Sequence, residues 1–134
     1  MTNEAVQVEG PYEVHDFTVA NGSDGSDTLK GTLGKLSTPR TVAASSAADV
    51  FAGIYSVDKK GGNGKTEIGL WTTGTFVLKN TGVEITAGKM VSLSGANLIK
   101  AATAGELLTG AAFGKALQTI AAEGTGEVKI GVLV

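Results

Sequence analysis

The chain has no cysteine, a single histidine, two prolines and one arginine among its 134 residues. Without cysteine there is no disulfide framework, thiolate nucleophile or Cys-ligated zinc, and a lone His15 excludes every multi-histidine metal site. No stretch approaches the ~18 consecutive apolar residues that a membrane-spanning helix requires, so no membrane association is expected. The first residues carry neither a basic nor an apolar region of the secretory type; no signal is expected, and synthesis in a cytoplasm is the default. Basic residues are sparse and scattered, 11 against 13 acids, with Arg40 the only arginine. Nucleic-acid binding leans on clustered Lys and Arg with stacked aromatics, and no nucleic-acid partner is expected.

What is present is glycine and alternation. The 20 glycines are about twice the usual ~7% and mark frequent turns. A 42% hydrophobic fraction supports a core, and a chain of this length makes one domain. Short alternating runs bounded by Gly, Asn, Ser or Thr recur from end to end, the pattern of an all-β domain. Ile68 and Leu70 alternate with Glu67, Gly69 and Trp71, and Val128, Ile130 and Val132 with Glu127, Lys129 and Gly131. Both read as half-buried strands. Segments 75–79, 89–94 and 113–121 are similar, leaving room for roughly six to nine strands. Helix is expected for a turn or two at most, over 43–49 and 103–108.

An ungapped shift of the chain against itself places Phe51 on Phe113, Gly62 on Gly124, Gly64 on Gly126, Ile68 on Ile130 and Gly69 on Gly131. Two hairpins of one design would produce this, and so would chance in a glycine-rich chain. Residues 1–27 differ from the body, holding Glu4, Glu9, Glu13, Asp16, Asp24 and Asp27 without a basic residue. Amid these acids Val6, Val8, Tyr12, Val14, Phe17 and Val19 alternate loosely. The segment reads as an extended acidic N-terminal arm, with a barrel domain over 28–134. Its apolar positions suit strand addition to a neighbouring chain's sheet edge; an ordinary first strand is the plainer alternative.

Motifs with chemical meaning fall short. Gly61-Gly62-Asn63-Gly64-Lys65-Thr66 invites comparison with a phosphate-binding loop, but Lys59 stands where the first glycine belongs and a strand-like sequence follows. A hairpin turn is expected instead. Gly22-Ser23-Asp24-Gly25-Ser26-Asp27 resembles one copy of a calcium-binding β-roll repeat, whose sites form only between stacked copies. His15 cannot readily be oriented by Asp16, because neighbours on a strand face opposite ways. The carboxylates Asp49, Asp58, Glu67 and Glu84 have no spacing that favours glycoside hydrolysis. Trp71, Phe76 and Tyr55 are expected in the core. No catalytic, cofactor or metal residue is assigned.

The runs Thr73-Gly74-Thr75-Phe76-Val77-Leu78-Lys79, Ile85-Thr86-Ala87-Gly88-Lys89-Met90-Val91, Phe113-Gly114-Lys115-Ala116-Leu117 and Gly126-Glu127-Val128-Lys129-Ile130-Gly131-Val132-Leu133 together resemble the capsid cement, or head decoration, proteins of tailed viruses. The likeness covers about residues 28–134 and is one of glycines and apolar positions. No proline precedes Lys79, and the turn between Lys59 and Lys65 is longer than in that family. The resemblance implies a small β-barrel or β-tulip-like body on the outside of an icosahedral head, commonly as a homotrimer. Its partners would be the major capsid protein and sister copies, and its function to cement the expanded, DNA-filled shell without catalysis. The arm residues Val6, Val8, Tyr12, Val14, Phe17 and Val19 are then the candidate interface. A carbohydrate- or surface-binding β module using Trp71 or Tyr55 as a platform is the alternative.

Overall fold

The computed structural model describes residues 3–9, 14–19, 27–47 and 49–131. Alternation sets the local structure. Among the described residues the strands are β1 (Val6–Glu9), β2 (Val14–Val19), β3 (Leu33–Thr38), β4 (Thr41–Ala44), β5 (Phe51–Tyr55), β6 (Glu67–Trp71), β7 (Gly74–Asn80), β8 (Met90–Gly95), β9 (Leu98–Ala101), β10 (Ala112–Ala116) and β11 (Thr125–Ile130). One short helix, α1 (Ala104–Thr109), lies between β9 and β10. It stands where the second helical turn was expected; of the first, over 43–49, Ala43 and Ala44 end β4 and the other described residues, 45–47 and 49, are not helical.

Two small barrels follow from these strands, as the all-β reading anticipated. β2, β4, β3, β5 and β6 close the first barrel. In the second, β7, β11, β10, β8 and β9 close on themselves because β7 pairs with both β11 and β9. Their topologies are identical. In each, the first strand runs parallel to the third and antiparallel to the fifth, the second pairs with the third and fourth, and the fourth with the fifth.

Register matches as well as topology. The cross-strand row Val14, Trp71, Ile54, Leu33 of the first barrel corresponds to Thr75, Lys129, Lys115, Met90 of the second. Isolated bridges Thr28↔Lys59 and Ile85↔Ile120 recur at matching places. So does the turn between the second and third strands, where Arg40 and Asn97 each have φ 58. Gly53 and Gly114 are a further pair. A Cβ on Gly53 would lie 2.9 Å from the Trp71 carbonyl oxygen, and one on Gly114 would lie 2.6 Å from that of Lys129. Close crossing of strands in so tight a barrel leaves no room for a side chain there. The chain is therefore two copies of one five-stranded module.

The interiors are not equally enclosed. Val19, Val42, Tyr55, Ile68 and Leu70 fill the first barrel. Phe76, Leu78, Val91, Leu93, Ile99, Val128 and Ile130 fill the second, and Leu33 and Ile54 of the first module belong to that same cluster. Since side chains alternate along a strand, Leu33, Ile54 and Trp71 point out of their own barrel. They cover the open end of the other. There Trp71 meets Phe76 with ring centroids 5.5 Å apart, and Phe51 stacks on Phe113 at 4.0 Å. Polar groups seal the rim. The Leu33 N–H donates to Asn97 Oδ1 at 2.8 Å, the Ser45 hydroxyl donates to the Gly95 carbonyl at 3.0 Å, and the Asn97 N–H donates to Ser45 Oγ at 3.1 Å.

Of the amino-terminal strands, β2 is part of the first barrel and β1 is added to the second barrel's sheet. β2 supplies the first barrel's closing strand between β4 and β6. β1 pairs antiparallel with β7, while the Ala5 N–H donates to the Gly31 carbonyl at 2.7 Å, so the segment bridges both modules. The physical reason is the sheet edges: without β2, both β4 and β6 would present unpaired backbone to solvent.

Candidate interaction surface

The residues assigned to the interface from sequence separate into three groups. Val6 and Val8 lie on β1, 60% and 43% exposed, and every residue of that strand is exposed. Phe17 packs at the edge of the first barrel's interior beneath the Arg40 guanidinium, 5.1 Å from the ring centre, and Val19 is buried within it. Those two hold the barrel together and are not surface contacts. The backbone of Val14 pairs with Trp71 at the start of β2. Tyr12 lies outside the described residues.

β1 is a terminal strand of its sheet. Val6 and Val8 are exposed apolar contacts on that strand, the kind of position through which strand addition gains specificity. A register irregularity between Gln7 and Glu9 bends it locally. Glu4, just before β1, accepts from Asn97 Nδ2 at 3.3 Å, which ties the strand's root to the module junction.

A second exposed feature is α1. Its Thr103 and Glu106 form a reciprocal capping box, with Gly110 in the left-handed conformation closing the other end. Glu106 also accepts from Lys100 Nζ at 2.8 Å and from the Ser92 hydroxyl at 3.1 Å. The Lys100 ammonium, with the Thr103 N–H and Ser92, pulls the Glu106 pKa down to about 2. The first module has the simpler equivalent: Asp49, just before β5, lies 3.9 Å from Lys35, which occupies the same rung as Ser92. What α1 adds is Leu107 and Leu108, 45% and 88% exposed. No residue of the helix is buried. Near its end, a shallow depression of about 300 Å³ is lined by Phe51, Ala52, Thr72, Ala112, Phe113 and Gly131.

The aromatic platform has no support from these positions. Tyr55 is 1% exposed, and burial pushes its hydroxyl pKa up to about 12. Trp71 is half-buried at the module junction with the Lys30 ammonium 5.4 Å from its ring. The glycine-rich segment around Gly62 and Gly64 is a turn between β5 and β6, as expected, both glycines having positive φ. Asp27 clamps it, accepting from the Gly61 N–H at 3.0 Å and Lys60 Nζ at 3.2 Å, contacts that hold its carboxyl below the usual range. Residues 21–26 of the β-roll-like motif lie outside the described residues.

Two features escaped sequence reading: the module junction and α1's clamp. Alternation marks which residues share a face of a strand but not which face another module covers. Among the described residues no group of three His, Asp or Glu converges as a metal site, and no helix is long and apolar enough to cross a membrane. Neither any family model nor any curated protein matches the chain.

Proposed function

We propose that this protein is a head decoration protein that binds the outside of an icosahedral capsid and cements neighbouring major capsid subunits. Two considerations support the reading: the resemblance of residues 28–134 to that family, and above all β1, an exposed edge strand carrying Val6 and Val8 and rooted at the junction of both modules. Strand addition to β1 joins two polypeptides by backbone hydrogen bonds, which demand extended geometry rather than a particular sequence. Binding that exists only on the expanded shell stabilises it by mass action, by about 2.7 kcal/mol per site at a hundred-fold excess over Kd. Sister copies arranged as a trimer would multiply that effect by holding several capsid subunits at once.

Co-sedimentation with expanded heads, built from the major capsid protein of the virus that encodes this chain, tests the reading. Saturable occupancy with greater survival of heated particles is the expected outcome; no binding to expanded heads overturns it. Placing lysine at both Val6 and Val8 should weaken occupancy by about ten-fold, roughly 1.4 kcal/mol, without lowering the protein's own Tm. Unchanged occupancy would remove β1 from the interface.

A further inference from the structure

Within the chain, one module already docks on another. The open end of the second barrel sits on the outward row Leu33, Ile54 and Trp71 of the first, with Leu33 and Ile54 fully buried. That contact is head-to-tail, joining a barrel end to a barrel side. Contacts of this kind leave the complementary pair of surfaces unused at the two extremities.

The free barrel end is exposed; on the free side Lys129 is exposed, Lys115 and Met90 are half-buried, and Thr75 is buried beside β1. The free barrel end is that of the first module. Leu36 occupies the rung that Leu93 holds in the second barrel; Leu93 is 0% exposed beneath its cover, whereas Leu36 is 40% exposed, with Val50 beside it at 42%. The free side is the second module's row Thr75, Lys129, Lys115 and Met90. Lysines there stand where Ile54 and Trp71 stand in the covered row. Lys115 and Lys129 face each other directly across β10 and β11, and among the described residues neither has an ion-pair partner. Like charges so placed repel. At the free end, Arg40 occupies the turn position of Asn97, the residue that seals the internal junction by accepting from Leu33. Docking of a second copy would bring Arg40 against Met90, the counterpart of Leu33, beside Lys115.

We infer that Lys115 and Lys129 determine specificity by closing a module-docking face to further copies of this chain, so that the stack stops at two modules. A face shaped to receive a barrel end takes no third module, because stacking would bury two like-charged lysines and set them near Arg40.

Restoring the first module's residues tests this. The K115I/K129W variant, followed by sedimentation velocity across a wide concentration range, should self-associate with a weight-average mass at least double that of wild type. Adding L36K, which charges the opposite docking surface, should return it to wild-type behaviour. If K115I/K129W sediments like wild type, the inference fails. It fails equally if association persists in the triple variant, because the new contact is then not head-to-tail. Circular dichroism verifies that both variants stay folded, and K115Q/K129Q, which removes charge without adding apolar area, should associate more weakly than K115I/K129W but more than wild type.

Discussion

Glu106 shows how one side chain can hold an element that buries nothing. Its carboxylate serves the capping box, Lys100 and Ser92 together, so its charged form is strongly favoured and its pKa falls from the ordinary 4.5 to about 2. A depressed carboxylate pKa stabilises the fold fully above the unfolded value, and the contribution is lost as pH falls through the folded one. Amide protection factors across Ala104–Thr109, corrected for the intrinsic pH dependence of exchange, should therefore fall as pH drops from 4.5 towards 2, beyond the change seen in neighbouring strands. In E106Q that extra pH dependence should vanish, and α1 should be less protected at neutral pH by about 1–3 kcal/mol. Thr32 offers the opposite experiment. It is fully buried and its hydroxyl has no hydrogen-bond partner, so T32V should leave Tm unchanged or raise it.

At the scale of elements, strand crossing is the constraint. The Cβ of an alanine at position 114 would press on the Lys129 carbonyl oxygen, a backbone atom fixed by the sheet. G114A should cost about 1–3 kcal/mol of unfolding free energy in a denaturant titration. At Gly88 a Cβ has nothing within 4 Å, and only its positive φ disfavours alanine; G88A should cost about 1–2 kcal/mol. Much of this level was legible in the sequence. Alternation located β6, β7, β8, β10 and β11, and the helix-favouring alanines and leucines of 103–108 marked α1. The duplication was only half legible. Shifting the chain on itself matched the correct pair of hairpins but the wrong rungs, setting Ile68 on Ile130 whereas cross-strand pairing aligns Trp71 with Lys129, hence Ile68 with Gly126. The connection over 56–66 is longer than that over 117–124, so no ungapped shift can align both strands. The differing burial of the assigned interface residues was illegible for a related reason. Phe17 and Val19 alternate just as Val6 and Val8 do, and only the closing of a barrel around β2 distinguishes buried from exposed.

For the whole molecule, the shared core decides how the protein unfolds. Leu33 and Ile54 belong to the first module by chain and to the second by packing. I54A should therefore cost about 2–5 kcal/mol and keep a single transition in which both barrels melt together. Two separated transitions would mean that the junction couples the modules only weakly. The β1 segment reinforces the coupling from outside, since β1 pairs with the second module and Ala5 before it bonds to the first.

That junction also dictates an order of events during synthesis. Every strand of the first barrel precedes β7, so it can close on the ribosome before any of the second has emerged. Until β11 completes its partner, Leu33, Ile54 and Trp71 face solvent as a continuous apolar row. The nascent chain thus passes through an obligatory sticky stage, during which the second barrel of another nascent chain is a competing cover. Intertwined, domain-swapped dimers are the expected by-product of fast expression, and slower translation between the two modules' coding sequences should increase their yield.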